Sequence, residues 1–448
     1  MPFLKHDRIT PAQVVILGFL FQILIGACLL SLPVATQSGE RVPFLDALFT
    51  ATSATCVTGL VIHDTALFWS PFGQGVILLL IQVGGMGVVT MAVAIFMFSG
   101  RKIGLKQRWV MQESISAPQV GGIVRMTGFI LKTAFLIEAI GALLLALRFC
   151  PQFGLGKGIW YGIFHAVSAF CNAGFGLMGE TGAFSSLTGY VGDPLVNLVI
   201  CLLIVVGGLG FLTWHDVAAH GRHVSQYRLQ SKLILLTTLA LLVGGFLFFR
   251  FYEFSRPQWA ALTGGERGLA ALFQSVSPRT AGFNTVDLTQ LSACSQLMTI
   301  LLMLAGGSPG STAGGFKTTT LAVLLLSVGA VIRRQGSARC FGRRLPDQVL
   351  RNACAIFLLY LVLFLAGGML ICCMDEIPLM QALFEAASAI GTVGLSLGAT
   401  AEASEASRLI LIFLMYFGRV GGLTMIYAMA AGSNGSSSQY PQEQVTVG

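Results

Sequence analysis

Charge is scarce in this chain: of 448 residues only 10% are Asp, Glu, Lys or Arg, against 55% hydrophobic residues and a mean hydropathy of +0.79. That balance excludes an ordinary soluble globular domain and places the chain among multi-spanning membrane proteins. The ten cysteines are scattered, with no CxxC spacing and several inside apolar runs, which argues against a disulfide framework or a zinc site. Histidines at 6, 63, 165, 215, 220 and 223 form no HExxH or other metal-ligand pattern, and His215, His220 and His223 are expected to be solvated at the membrane interface. No Ser/His/Asp set, phosphate-binding glycine loop or nucleotide fold is discernible, so neither an intramembrane enzyme nor nucleotide sensing is expected of this chain, and no cofactor.

Apolar length and glycine are abundant instead, the latter at 54 residues. Runs of about 20 residues or more, enough to cross the hydrocarbon, lie near 12–33, 72–98, 123–149, 190–213, 232–251, 294–332, 349–373 and 407–431. The first is of full span length, follows Lys5 and Arg8 and lacks a small-residue cleavage site, so it reads as a signal anchor.

Between these runs one segment recurs four times: FTATSATCVTGLV at 49–61, FHAVSAFCNAGFG at 164–176, FQSVSPRTAGFNT at 273–285 and FEAASAIGTVGLS at 384–396. Each begins at a phenylalanine (Phe49, Phe164, Phe273, Phe384), passes through small and hydroxyl residues, and reaches a glycine (Gly59, Gly174, Gly282, Gly394), one residue sooner in the third copy. Four copies between long apolar runs imply four similar walls around one axis. The preceding short helices, Phe44–Thr55, Ile159–Phe170, Leu269–Ser277 and Leu379–Ile390, are too short to traverse the membrane and must re-enter. Irregular backbone at that depth is tolerated only in protein or around water. The expected fold is therefore an all-α membrane protein of four tandem span, pore helix, span repeats, about eight transmembrane helices in pseudo-fourfold arrangement. The repeats are 1–117, 118–222, 223–346 and 347–432, followed by a polar tail at 433–448.

A dehydrated cation needs oxygens in place of water, and a ring of backbone carbonyls supplies them without fixed charge. Glycine permits the positive φ that turns successive carbonyls the same way. Small residues and glycines also serve close helix packing, the plainer reading of any single loop. Basic residues (Lys5, Arg8, Arg101, Lys102, Lys106, Arg108, Arg125, Arg222, Arg228, Lys232, Arg333, Arg334, Arg339, Arg343, Arg344, Arg351) fall on one side of the eight-span plot. By the positive-inside rule that side, with both termini, is cytoplasmic. Most carboxylates, including Asp64, Glu180, Asp193, Glu253, Glu266, Asp287, Asp375, Glu376, Glu402 and Glu405, fall on the other side with the loops.

The run from Ala293 to Arg333 would be about 60 Å as one helix, twice the hydrocarbon thickness, and contains Gly306, Gly307, Ser308, Pro309, Gly310, Gly314 and Gly315. It is expected to break into an irregular loop or a kink.

The loops TCVTGL, CNAGFG, RTAGFN and GTVGLS, with GGMGVVT at 84–90, GGLGFLT at 207–213, GGSPGSTAGGFKTTT at 306–320 and GRVGGLT at 418–424, resemble the Trk/Ktr/HKT superfamily of potassium transporters. The resemblance covers nearly the whole chain and is closest to membrane subunits of the KtrB type. It implies a plasma-membrane homodimer, one pore per protomer, gated by a cytoplasmic ring of nucleotide-binding RCK subunits, with lipid as the other partner, no nucleic acid, and sodium dependence open. The filter lining it implies is the backbone of Cys56, Val57, Thr58 and Gly59, of Cys171, Asn172, Ala173 and Gly174, of Arg279, Thr280, Ala281 and Gly282, and of Gly391, Thr392, Val393 and Gly394. A serine at the first filter glycine goes with sodium preference in the superfamily, so Gly59 points to potassium. Only the first loop approaches the TVGYG of ordinary potassium channels, so looser selectivity is expected.

The resemblance makes Ala305–Lys317 an intramembrane gate and Arg419 its arginine, with a brace away from the axis as the other reading. Lys317 is expected to be snorkelled or helix-terminal, Arg279 to brace the third loop from behind, toward Glu385, and Glu138 to pack against a polar neighbour. A secondary transporter of another solute, with broken helices around a midplane site, is the competing reading; it would call for inverted repeats.

Overall fold

The computed structural model describes residues 10–87, 90–91, 104–114, 121–422 and 424–425. Lys5, Arg8, Arg101, Lys102 and the tail at 433–448 lie outside the described residues. The helices that matter for the site are α1 (Pro11–Leu30), α2 (Phe44–Thr55), α3 (Pro71–Met86), α4 (Leu105–Ser114), α5 (Ile123–Phe153), α6 (Leu155–Phe170), α7 (Pro194–Gly208), α8 (Phe211–His220), α9 (Leu229–Phe248), α10 (Gly264–Val276), α11 (Ala293–Ala305), α12 (Thr318–Ile332), α13 (Asp347–Asp375), α14 (Leu379–Gly391) and α15 (Glu405–Val420).

Among the described residues four helices are long and apolar enough to cross a membrane: α1, α5, α9 with its continuation to Glu253, and α13. No more than 33% of any of these spans is buried, so most of each apolar surface faces outward, where lipid stabilises it. The chain is a mostly helical, multi-pass membrane protein.

The second run of each copy departs from an uninterrupted span. The helices α3, α7 and α15 stop at Met86, Gly208 and Val420, and the chain then passes through Gly87 (φ 87°), Gly210 (φ 91°) and Gly421 (φ 90°), a backbone that no right-handed helix contains. After α7 the chain bends by 97° into α8. The third such run breaks between α11 and α12, at Gly306 (φ 58°), Gly310 (φ 61°) and Gly315 (φ 65°). The recurring GxxG spacing, GGMG, GGLG and GRVG, reads in sequence as apolar continuity, which is why the runs 72–98, 190–213 and 407–431 seemed to be single spans.

Two of the short helices before the repeated loops begin earlier than their apolar stretches. Gly154 (φ 81°) ends α5 and lets α6 start at once, at Leu155 rather than Ile159. A capping box between Thr263 and Glu266 starts α10 at Gly264 rather than Leu269. The chain is not wholly helical: Arg339–Cys340 (β1) and Arg343–Arg344 (β2) pair as a short antiparallel ribbon.

The leading phenylalanines Phe49, Phe164, Phe273 and Phe384 are all essentially fully buried. The first and last copies are joined where Asp46, in the first turn of α2, accepts from Arg408 Nη1 of α15 at 2.7 Å and meets His63 Nε2 at 2.9 Å. Removing one member of a buried pair typically costs about 3 kcal/mol. Asp46→Ala is therefore expected to lower the Tm in detergent by several degrees, whereas Glu405→Ala, also on α15 but outside this pair, should leave it close to the parent.

Candidate functional site

Each of these short helices ends in a loop of the same backbone form. Val57 (φ 51°), Asn172 (φ 58°), Thr280 (φ 68°) and Thr392 (φ 49°) adopt the left-handed region, and two residues later so do Gly59 (φ 91°), Gly174 (φ 71°), Gly282 (φ 77°) and Gly394 (φ 94°). A non-glycine residue pays about 1–3 kcal/mol for such a conformation, so its recurrence at one position in four loops marks a geometry the fold enforces. The intervening residues, Thr58, Ala173, Ala281 and Val393, are fully buried.

The loops meet in cyclic order. A Cβ at Gly59 would collide with the Ala173 carbonyl, at Gly174 would lie 2.8 Å from the Ala281 carbonyl, at Gly282 would collide with the Val393 carbonyl, and at Gly394 with the Thr58 carbonyl. The fourth loop thus closes on the first. Side chains are excluded at these glycines by the neighbouring backbone.

Each loop is anchored from behind by a serine that the sequence reading did not single out. The amides of Thr58, Ala173, Ala281 and Val393 donate to the carbonyls of Ser53, Ser168, Ser277 and Ser388 at 2.7–2.9 Å. In the first and fourth loops the serine hydroxyl also accepts from the glycine amide, Gly59 at 3.1 Å and Gly394 at 3.0 Å. The signal was available: a serine stands four residues after each leading phenylalanine, upstream of the residue missing from the third copy.

Cys56 and Cys171 are the C-caps of α2 and α6, and Gly391 is still the last residue of α14, so these three stand at the helix ends. Arg279 does not reach Glu385. Its Nη2 donates to Thr238 Oγ1 on α9 at 3.4 Å, while Glu385 is occupied by Ser396 Oγ (2.7 Å), the Leu397 amide (2.9 Å) and Thr400 Oγ1 (2.5 Å). Three local donors already compensate this carboxylate, so a distant guanidinium gains little by reaching it. In the second copy His165 donates from Nδ1 to the Tyr161 carbonyl (2.8 Å) and accepts the Leu177 amide at Nε2 (3.3 Å), fixing one neutral tautomer behind the loop. Glu138 on α5 accepts twice from Gln82 Nε2, at 3.1 and 3.2 Å, beside Cys171.

Above the ring a cavity of about 410 Å³ is lined by all four glycines and by Asp64, Asp287 and Glu402. Burial raises the Asp287 carboxyl, but hydrogen bonds from Thr289 and Gln290 outweigh it and hold the group below its ordinary value. A carboxylate that remains charged makes the field in this cavity favourable to cations.

Below the ring lies the break between α11 and α12. Its backbone is tied to two neighbouring copies: Ser308 and Thr312 amides donate to the Gly208 and Gly207 carbonyls (3.1 and 3.3 Å), Thr312 Oγ1 to the Phe170 carbonyl (3.0 Å), and the Gly315 amide to the Gly418 carbonyl (2.9 Å). Gly314 and Gly315 pass so close to Thr392 and Gly391 that neither position has room for a Cβ. Arg419 completes the set. Its Nη1 donates to the Thr312 carbonyl and its Nη2 to the carbonyls of Gly84 and Gly85, the latter at 3.0 Å. Gly306, Gly307 and Gly310 belong to the same loop, and Lys317, at the N-terminus of α12, donates from Nζ to the Ala313 and Gly314 carbonyls, both at 2.9 Å. A second cavity, of about 530 Å³, opens beneath the loop and is lined by Lys317 and Arg419.

His215 departs from the solvated interface expected for it: it is half-buried, edge-on to Phe129 at 6.1 Å.

The model of the TrkH family, described as cation transport protein, matches residues 21–440. The chain is 40% identical to the Ktr system potassium uptake protein B of Bacillus subtilis, covering 99% of this chain and 98% of that protein. It is 39% identical to the potassium/sodium uptake protein NtpJ of Enterococcus hirae, over 99% of this chain and 98% of that one. The crystal structure of the potassium transporter TrkH from Vibrio parahaemolyticus superposes with a TM-score of 0.70 at 20% identity, over 94% of this chain and 85% of that chain, a likeness of fold.

Proposed function

Because this chain belongs to the TrkH family of cation transport proteins, we propose that it carries potassium into the cell through a pore whose filter is the ring of carbonyls around Gly59, Gly174, Gly282 and Gly394. The four copies then stand in pseudo-fourfold arrangement around one axis, in the plasma membrane, with the acidic cavity outside and both termini inside. The observation that carries the reading is the cyclic closure of four loops sharing one pair of left-handed residues, a backbone form that suits carbonyls turned toward one axis.

The loop Gly306–Lys317 with Arg419 is the gate in this reading: it occupies the path below the ring and places a fixed positive charge beside it. The competing reading, a secondary transporter of another solute, needs inverted repeats around two broken helices; the closure of four loops in chain order supports the pore. Sodium stays on the list of cargo because one relative is named a potassium/sodium uptake protein. The test is uptake of potassium and rubidium by cells lacking their own potassium systems, with and without sodium. Uptake of potassium over sodium is expected; failure to restore potassium uptake by protein present in the membrane would overturn the assignment.

The relatives named as Ktr system proteins support a regulatory subunit, here an RCK ring that binds the nucleotide, acting on a homodimer of this chain. The ribbon β1–β2 is a candidate contact. Its turn, Phe341 (φ 49°) and Gly342 (φ 73°), has positive φ at both central residues, as a tight two-residue hairpin requires, and it holds Arg339, Arg343 and Arg344 at the surface. Reversing those three charges is expected to weaken pull-down of the regulator at low salt by about tenfold or more and to flatten its salt dependence. Unchanged pull-down would move the contact elsewhere on the cytoplasmic face.

A further inference from the structure

We propose that the groove between α4 and the start of α5 is a binding site for an anionic phospholipid, whose phosphate is held by Arg108, Arg125 and Lys132 and whose acyl chains run along α5. The groove has a volume of about 700 Å³, and among the described residues no carboxylate lines it. Its cations converge for a reason visible in the sequence. Arg125, Gly128, Phe129 and Lys132 follow helical spacing along one face of α5, and Arg108 faces them from α4.

Two features point to a phosphate. No ion pair or hydrogen bond engages the side chains of Arg108, Arg125 or Lys132 among the described residues, whereas Arg228, next to the adjoining cavity, is paired with Asp216 at 3.5 Å. Cations gathered without a counter-charge repel one another and are stabilised by an anion. The N-terminus of α5 is also uncapped: Gly122 (φ 74°) offers no side chain, no acidic residue stands in the first turn, and Gly122, Ile123 and Val124 line the groove. Free amides of a helix of 31 residues add a favourable field for an oxyanion at that place.

The same helix face decides for a lipid over a soluble phosphate. Beyond Lys132 it continues as Leu136, Ile140, Leu143 and Leu147, exposed at 61%, 51%, 62% and 64%. A headgroup at the cations therefore places its chains against an unbroken aliphatic stripe, the arrangement of an interfacial lipid site. A soluble anion or an acidic peptide would use the charge and leave the stripe unused.

The site joins α4 at the end of the first copy to α5 at the start of the second. The helix α4 follows the break at Gly87, three residues beyond the Gly84 carbonyl that accepts from Arg419.

The experiment is native mass spectrometry of the full chain extracted from phosphatidylcholine vesicles with and without phosphatidylglycerol. The parent is expected to retain phosphatidylglycerol in preference to phosphatidylcholine. Arg108→Gln/Arg125→Gln/Lys132→Gln is expected to lose that preference by roughly a hundredfold, about 1 kcal/mol for each cation. Arg339→Gln/Arg343→Gln/Arg344→Gln, which removes the same charge elsewhere, is expected to keep it. Equal retention by parent and the first triple variant would overturn the site, as would equal loss in both variants, which would mean attraction by net charge alone. Displacement of the bound lipid by inorganic phosphate or by an acidic peptide at low concentration would assign the groove to a soluble ligand and also overturn the proposal. Should the triple variant fail to fold, Arg125→Gln alone is expected to lower retention by about fivefold.

Discussion

Deleting Gly307–Gly314, or replacing Arg419 with alanine, is expected to raise potassium flux in the absence of the regulator by about tenfold or more. A closed loop held by about 1.5 kcal/mol more than its open form is released by that factor when the difference is removed. The forces are of this size. A hydrogen bond from a charged donor contributes about 1.5–3 kcal/mol net, and Arg419 makes three, one to the Thr312 carbonyl in the loop and two to the carbonyls of Gly84 and Gly85 on the opposite wall. Alanine removes both the tether and the positive charge below the ring. The deletion removes Ser308 and Thr312, whose bonds to Gly207, Gly208 and Phe170 hold the loop against the second copy. Dependence on the regulator should fall in both variants. Two variants that fold, reach the membrane and conduct no faster than the parent would make the break a packing kink and move the gate elsewhere.

Gly59→Ser is expected to lower the preference for potassium over sodium by about tenfold, a change of about 1.4 kcal/mol in relative binding. At φ 91° the backbone suits glycine, and the new Cβ would meet the Ala173 carbonyl, which belongs to the next member of the ring. The ring must shift, and if it is the filter, a resized carbonyl set is expected to discriminate less between the two ions. Gly394→Ser should act in the same direction, because its Cβ would meet the Thr58 carbonyl beside Gly59. Unchanged relative uptake of the two ions by well-expressed variants would remove these loops from the ion path.

Much of this arrangement was legible in the chain. The four glycines are separated by long apolar runs and stand at matching positions, so their convergence follows from repetition. The anchoring serines and the left-handed residues two before each glycine were not read. Val57, Asn172, Thr280 and Thr392 share no side-chain chemistry, and the backbone state they share is imposed by the fold. The second helices were read too long because Gly87, Gly210 and Gly421 sit in apolar sequence, and hydropathy does not register a positive φ. Arg279 was aimed at Glu385 by charge alone. Local donors in the loop after Val393 satisfy that carboxylate first, and such a contest between near and distant partners is invisible without coordinates.

The most direct test of the carbonyl ring is the membrane potential that the purified chain sets up in liposomes with potassium on one side and sodium on the other, regulator absent and Arg419→Ala used to open the path. The account predicts a potential that tracks the potassium gradient and moves toward zero when Gly59→Ser is added. A potential that tracks sodium, or one that Gly59→Ser leaves unchanged, would contradict it.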